Sequence, residues 1–324
     1  MVIRLPRNKQ IGEDFKVSTA SPSATTRRQV GPNLWFDRAL NNQPSRLPTY
    51  ELRPEILDSE EAVGRAMLSE LETAAHEKPD DLVIILLGGR GAQAFHRLLG
   101  ERASAGDPDG LIARLRVFTQ DALAPMRMDN SFSFVRDFER LLGPEFFRRV
   151  KSFTPMLTDV QDLAAELVRY ADKLEALGGI DIFFLGHGPE PNNASHLAYI
   201  RSGSGAAARS VAGIIPLAPN ILEHHITKFK AGGAALNASD EVECRSVANI
   251  LTLGPAIILS AKRIVQSVVD ADTAPAKRAS YRRVMETQIA DDPQERATQL
   301  DENPGLWIRL NPNVRSLILP NVLS

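Results

Sequence analysis

Residues 80–99 read DDLVIILLGGRGAQAFHRLL, and they indicate the architecture more clearly than any other segment. Five apolar residues in succession, Leu82 to Leu86, are followed closely by glycines, and a helical pattern comes next. A short, continuous apolar run bounded by glycine is typical of a strand that is buried on both faces, as in a parallel sheet. The segment therefore predicts a strand, a glycine-rich loop and a helix.

The same pattern returns along the chain. Strand-like runs occur at LRVFTQD (115–121), at GIDIFFLGHG (179–188) and, less clearly, within AIILSAKRIVQSVV (256–269), and a first strand can be placed in TYELRPEIL (49–57). Strands that alternate with helices predict an α/β fold with a doubly wound, mostly parallel sheet. In such sheets, ligands bind beyond the carboxyl ends of the strands.

The domain organisation is predicted from a change in composition. Residues 1–47 are rich in polar and turn-forming residues, which predicts an irregular N-terminal extension that the core fold does not need. Residues 48–324 are predicted to form a single α/β domain. Within it, the polar tract at 290–303 is interpreted as a solvated loop before a last pair of strands.

Composition argues against several classes of protein. The net charge of −2 over 324 residues gives no basic field for nucleic acid, and no run of 18 apolar residues is present to span a membrane. The N-terminus lacks the apolar segment of a secretory signal, and the single cysteine, Cys244, cannot form an internal disulfide. These features predict a cytoplasmic protein.

The loop of Gly88, Gly89, Arg90 and Gly91 is the first candidate site. Glycines let backbone N–H groups approach an anion, the following helix offers its positive end, and Arg90 can add a charged contact. Two alternatives remain open. One is a tight turn without a ligand. The other is a dinucleotide site, although its acid is expected about 20 residues further on, whereas Asp121 comes 30 residues after Gly91.

Two further candidates follow predicted strands. Asp121 ends one strand and is placed to act as a general base, with a turn or helix cap as the alternative role. The loop 186–196 contains His187, Glu190 and His196, which can titrate or can be structural. Its spacing matches no common zinc pattern, so neither a metal nor a cofactor is predicted.

The order of these features resembles the glucosamine-6-phosphate isomerase/deaminase family, which is related to the 6-phosphogluconolactonases. The family has a strand followed by a glycine loop, and the corresponding segment here is LGGRGA. The family also has a strand that ends in the catalytic acid, and the corresponding segment here is VFTQD. GGIDIFFLGHGPEPNNASHLAYIRSGSGAAAR and ILTLGPAIILSAKRI resemble two later family segments, and NPGLWIRLNPNV resembles the closing one. The similarity covers roughly residues 50–320.

The resemblance implies a role for individual residues. It makes Asp121 the base, His196 the residue that opens the sugar ring, and Lys277 a phosphate ligand, with Arg209 as a second cation beside the phosphate. The acid that precedes the family's histidine corresponds at best to Glu190, displaced by a four-residue insertion.

Arg201 stands where the family has a glutamate, and its shape suits a second anionic group of the ligand. Ala122 also replaces an acid. The leading hypothesis is an isomerase or hydrolytic deaminase for a phosphorylated sugar that works by proton abstraction at C2. Lactone hydrolysis and sugar-phosphate binding without catalysis are the alternatives, and a homo-oligomer is left open.

Overall fold

The computed structural model of the protein describes residues 25–30, 33–38, 47–233 and 235–324. Two sheets organise this part of the chain. The larger sheet has seven strands, and every neighbouring pair in it is parallel. In spatial order, with numbers that follow the chain, its strands are β3 (Pro54–Ile56), β14 (Val314–Ile318), β13 (Arg263–Val268), β8 (Ile182–Leu185), β4 (Leu82–Leu86), β5 (Leu115–Thr119) and β7 (Ser152–Thr154).

The centre of the parallel sheet is apolar on both faces. Every residue of β4 and of β8 is buried, as expected for strands that are covered by helices on each side. β4 lies between β5 and β8, so the ends of these three strands meet at one edge of the sheet. The predicted doubly wound, mostly parallel α/β fold is therefore confirmed.

The second sheet is antiparallel and was not predicted. In spatial order its strands are β1 (Thr25–Val30), β2 (Asn33–Arg38), β11 (Ser210–Pro216), β12 (Asn249–Leu253) and β6 (Asp121–Ala124). A separate two-residue pair joins β9 (Gly188–Pro189) to β10 (Ser195–His196). The short pair shapes the loop after β8.

The predicted irregular extension is wrong for residues 25–30 and 33–38, which form the antiparallel pair β1 and β2. β2 pairs with β11, and Trp35 is fully buried with its indole N–H donating to the carbonyl oxygen of Ser204 at 2.8 Å. Asp37 is also buried and accepts hydrogen bonds from Arg209 and Ser210. This strand is therefore part of the core. For residues 1–24, 31–32 and 39–46, the prediction lies outside the described residues.

Nine helices cover the sheets within the described ranges. Ser59 begins the first one by accepting a hydrogen bond from the backbone N–H of Ala62, and the predicted apolar face of that helix is buried. The helices are α1 (Glu60–Glu77), α2 (Gln93–Ser104), α3 (Phe134–Arg149), α4 (Leu163–Ala176), α5 (Pro219–Ala231), α6 (Ala238–Arg245), α7 (Pro255–Ser260), α8 (Ala276–Glu286) and α9 (Pro293–Glu302). None of them is long and apolar enough to cross a membrane.

Two local predictions are corrected. The apolar run at 256–269 divides into α7 and β13, because the first part follows Pro255 at a helix start. The tract predicted as a solvated loop contains α9, whose first turn is capped by the Asp292 carboxylate and begins with Pro293. One strand, β14, follows it in place of the predicted pair.

Candidate functional site

A cavity of about 800 Å³ opens at the carboxyl ends of the parallel strands. Its walls are formed by the segments that follow β4, β5, β8 and β13, together with α5 and the start of α8. This is the edge of the sheet at which doubly wound proteins bind ligands. The side chains and backbone groups used below come from Gly88, Gly89, Arg90, Gly91, Gln120, His187, Gly188, Glu190, His196, Tyr199, His224, His225, Lys228, Asp270 and Lys277.

The predicted glycine loop lines the cavity. Gly89 has a φ of +84°, a backbone conformation that side chains other than glycine's rarely adopt, and the loop then leads into α2. The Arg90 guanidinium does not extend freely into the cavity, because it pairs with the Glu60 carboxylate of α1 at 2.6 Å. The loop therefore offers mainly its backbone to a ligand.

Three charged side chains from three different elements meet at a second wall of the cavity. Lys228 comes from α5, Lys277 from the first turn of α8, and Asp270 from the segment after β13. Both lysine ammonium groups pair with the Asp270 carboxylate, one on each oxygen. We call these three residues the lysine cluster.

The protonation of the lysine cluster follows from its burial and its charges. Burial lowers the pKa of Lys277 to about 8, and the charge of Lys228 acts in the same direction while Asp270 opposes it. Burial acts to raise the pKa of Asp270, but the charges of Lys277 and Lys228 outweigh it and hold that pKa well below its ordinary value. At neutral pH the cluster therefore contains two cations and one anion.

His196 and Glu190 form a pair in the loop after β8. His196 Nδ1 lies 2.9 Å from Glu190 Oε1, and the imidazole stacks on the Tyr199 ring with centroids 5.0 Å apart. The pairing of β9 with β10 sets this geometry, since it places His196 opposite Gly188. A Cβ at position 188 would lie 1.7 Å from His196 Nε2, so only glycine lets the ring occupy this place.

The Glu190 carboxylate determines which nitrogen of His196 can act on a ligand. A carboxylate beside Nδ1 favours the tautomer with the proton on Nδ1, which leaves Nε2 as the acceptor. Nε2 has no hydrogen-bonding partner among the described residues. Nε2 is therefore the ring nitrogen that a ligand in the cavity can meet, and Glu190 fixes the orientation of the ring.

Three other histidines line the cavity in their neutral form. Burial lowers the pKa of His187 well below its ordinary value, and it lowers the pKa of His224 and of His225 to about 4 in each case. His187 Nε2 contacts Ser280 Oγ at 2.8 Å, and His225 Nε2 donates to the carbonyl oxygen of Phe132 at 2.8 Å. These rings contribute shape and hydrogen bonding without charge.

The structure places Asp121 behind the cavity wall. Asp121 belongs to β6, is 3% exposed and faces a separate void of about 10 Å³. Its neighbour Gln120 lines the cavity and donates its side-chain amide to the Asp121 carboxylate. Burial raises the pKa of Asp121 to about 7, with the Gln120 hydrogen bond opposing it. The predicted base therefore approaches the cavity only through Gln120.

Two of the three predicted arginine ligands, Arg201 and Arg209, do not line the cavity. Arg209 is half exposed and pairs with Asp37 at 2.8 Å, because the strand that was predicted to be an irregular extension supplies that carboxylate. Arg201 is partly buried outside the cavity lining, and its Nε has no hydrogen-bonding partner. The structure thus brings together the glycine loop, Glu190, His196 and Lys277 and leaves Arg201 and Arg209 apart.

Sequence reasoning missed Lys228, Gln120 and His224. Lys228 lies one helical turn after His224 on α5, so the two side chains share a face of that helix. The spacing of a histidine and a lysine at i and i+4 was the available signal. Among the described residues, no cluster of three or more histidine, cysteine or acidic side chains could hold a metal ion.

The fold matches solved structures over most of the chain. A monomeric glucosamine-6-phosphate deaminase of the NagB superfamily is 21% identical, with 84% of this chain and 98% of that one covered and a TM-score of 0.63. The 6-phosphogluconolactonase of Trypanosoma cruzi is 15% identical, with 85% and 97% covered and a TM-score of 0.59. The enzyme of the same name from Thermotoga maritima is 14% identical, with 82% and 97% covered and a TM-score of 0.56.

No protein-family model matches the sequence, and no curated protein does either. At the identities found, the structural likeness establishes a shared fold. The predicted resemblance to the sugar-phosphate isomerase/deaminase type is confirmed at that level, and the chemistry has to be argued from the cavity.

Proposed function

We propose that the protein is an acid–base enzyme for a phosphorylated sugar, and that it catalyses isomerisation or hydrolytic deamination. The observation that carries this proposal is the presence of the His196–Glu190 pair and of the two lysines in one cavity. The neighbours' names add support, since a glucosamine-6-phosphate deaminase and 6-phosphogluconolactonases act on phosphorylated sugars.

Substrate binding divides between the two walls of the cavity. Lys228 and Lys277 bind the phosphate, and the backbone N–H groups of the glycine loop give it further hydrogen bonds. The sugar then extends toward His196. A cavity of about 800 Å³ has room for a sugar phosphate.

Proton transfer is assigned to His196. Its Nε2 takes the proton from C2 of the open-chain sugar, and the electron pair of that bond forms the C1=C2 bond of an enediolate or its amino counterpart. The proton then returns to C1, and with an amino sugar the resulting C2 imine adds water and releases ammonia to give the ketose. Glu190 stabilises the imidazolium while it holds the proton. This assignment moves the base from Asp121 to His196, and Asp121 instead positions the Gln120 amide at the wall.

Lactone hydrolysis is the second candidate, and the position of Asp121 favours it. With Asp121 behind the wall, the His196–Glu190 pair is the assembled base in the cavity, and attack of water on a lactone needs one base. His196 would take a proton from water, the oxygen would bond to the lactone carbonyl carbon, and the ring C–O bond would break to give the acid.

The test compares glucosamine 6-phosphate with 6-phosphogluconolactone as substrates. Release of ammonia and a ketose phosphate supports the first reaction, and release of acid supports the second. His196→Gln should lower turnover by about 10²–10⁴-fold, and Glu190→Gln should lower it less. Arg209→Gln is the matched control, because Arg209 lies outside the cavity lining. Thermal stabilisation by the ligands without turnover of either would overturn catalysis and leave a binding protein.

A further inference from the structure

The lysine cluster has a feature that a phosphate site does not require. The two cations that would hold a phosphate already hold a carboxylate, that of Asp270. Exposure of the side chains is 1% for Asp270, 8% for Lys277 and 25% for Lys228, so water cannot readily replace the carboxylate at Lys277. Asp270 therefore occupies the position that a ligand's anionic group would take.

Among the described residues, the cavity lining has no surplus of positive charge from lysines and arginines over carboxylates. Equal numbers of acids and bases line it, namely Glu60, Asp137, Glu190 and Asp270 against Arg90, Arg140, Lys228 and Lys277. A phosphate dianion that entered would meet Asp270 at the lysines, and two anions at one ammonium group repel each other. A phosphate alone should therefore bind weakly.

We propose that Asp270 is a built-in competitor for the anion site and thereby a specificity-determining residue. Its carboxylate holds Lys228 and Lys277 until a ligand takes them over. An isolated phosphate gains little by displacing it, whereas the sugar of a sugar phosphate adds contacts at the far wall near His196. The site therefore selects the phosphorylated sugar over the free anion, and this inference rests on the proposed function.

The first experiment titrates inorganic phosphate and glucosamine 6-phosphate into the wild type, Asp270→Asn and Asp181→Asn. Asp270→Asn should bind inorganic phosphate at least tenfold more tightly than the wild type, which is about 1.4 kcal/mol, and the ratio between the two ligands should shrink. Asp181 is the matched control, since it also pairs with two lysines, Lys78 and Lys262, at the other end of the sheet. An equal gain in Asp181→Asn would overturn the inference.

A second pair of variants covers the case in which Asp270→Asn does not fold because Lys228 and Lys277 repel each other once the carboxylate is gone. Lys228→Gln leaves Lys277 as the single cation of the cluster, and Lys277 is already paired with Asp270. Phosphate binding should therefore weaken at least tenfold. Adding Asp270→Asn to it restores the net charge of the wild-type cluster without the competing carboxylate. The double variant should then bind phosphate at least as tightly as the wild type.

The outcomes separate this inference from the proposed function. If the wild type binds glucosamine 6-phosphate but removal of Asp270 does not tighten phosphate binding in either background, the competitor role is overturned and the proposed function stands. If neither the wild type nor any variant binds either ligand, the proposed function is overturned and the competitor role with it.

Discussion

Two aspartates of this protein each lie between two lysines, at opposite ends of the parallel sheet. Asp181 precedes β8 at the amino end and accepts hydrogen bonds from Lys78 and Lys262, each at 2.8 Å. Asp270 follows β13 at the carboxyl end and pairs with Lys228 and Lys277. The composition of the two clusters is the same, and their surroundings are different.

Exposure of the lysines separates the two clusters. The side chains of Lys78 and Lys262 are 36% and 62% exposed, whereas that of Lys277 is 8% exposed. Hydrated ammonium groups do not need an anionic partner. At the amino end of the sheet, Asp181 therefore has mainly a structural role, and it also accepts a hydrogen bond from the backbone N–H of Val83 at 2.8 Å. At the carboxyl end the buried cation needs an anion, either Asp270 or a ligand. Burial thus distinguishes a structural clamp from a candidate binding site.

The pKa of Asp270 is low because of its two lysines. Asp121 is also a buried carboxyl, but it has no lysine partner among the described residues. Its pKa is raised to about 7 by burial, so between pH 4 and 7 the folded state binds more protons than the unfolded state. The free energy of unfolding should therefore fall by up to about 4 kcal/mol as the pH rises through this range. Asp121→Asn should remove that loss, as measured by denaturant unfolding at pH 5 and pH 8.

An Asp121→Asn variant whose stability changes with pH as steeply as that of the wild type would show that Asp121 is not the group responsible. Asp121 could then no longer serve as the example of a buried carboxyl without a lysine partner.

In measurements of ligand affinity, Lys277→Met should distinguish the Asp270 cluster from the Asp181 cluster most clearly. The change removes a buried cation and leaves Lys228 closed on Asp270, so the affinity for glucosamine 6-phosphate should fall at least about 100-fold, or about 2.7 kcal/mol. Calorimetric titration measures the loss, and glucosamine without phosphate is the control ligand. Lys262→Met is the matched variant at the amino end and should leave the affinity unchanged. Equal losses in the two variants would contradict the assignment.

Asp181→Asn should act on stability alone. The amide replaces a carboxylate that accepts from two lysines and from the Val83 N–H, and the cost should be about 1–3 kcal/mol in the free energy of unfolding. Ligand affinity should be unchanged where the variant is folded. A loss of affinity with unchanged stability would reverse the roles given to the two ends of the sheet.

The pH dependence of binding gives the smallest of these effects. Because burial lowers the pKa of Lys277 to about 8, the ammonium group is lost as the pH rises through that value. The affinity for glucosamine 6-phosphate should fall by about twofold between pH 7 and 8 and should then approach a fall of about tenfold for each further pH unit. Lys277→Met should show no such fall, and a wild-type affinity that stays constant up to pH 10 would exclude Lys277 as a ligand.

The parallel sheet could be predicted because its strands are buried on both faces. LVIIL and IFFL are continuous apolar runs that end near glycines, a pattern that surface strands do not share. The antiparallel sheet was missed because its strands come from distant segments, and β2 (Asn33–Arg38) lies within a polar region. The burial of Trp35 becomes evident only when β2 is seen to pair with β11.

The site could be predicted where it follows the strands directly. The glycine loop, Glu190 and His196 come after β4 and β8, and they do line the cavity. Lys228 comes from a helix, and its place beside Lys277 depends on how α5 and α8 pack. Arg209 was assigned to the ligand because no sequence pattern indicated that Asp37 would pair with it.

The most direct test of the account is a crystal structure of the protein grown with glucosamine 6-phosphate. We expect the phosphate between the ammonium groups of Lys228 and Lys277, the Asp270 carboxylate displaced from at least one of them, and the sugar directed toward His196 Nε2. A phosphate bound at Arg209 or at the Asp181 cluster, with the cavity at the carboxyl ends of the strands left without ligand, would contradict it.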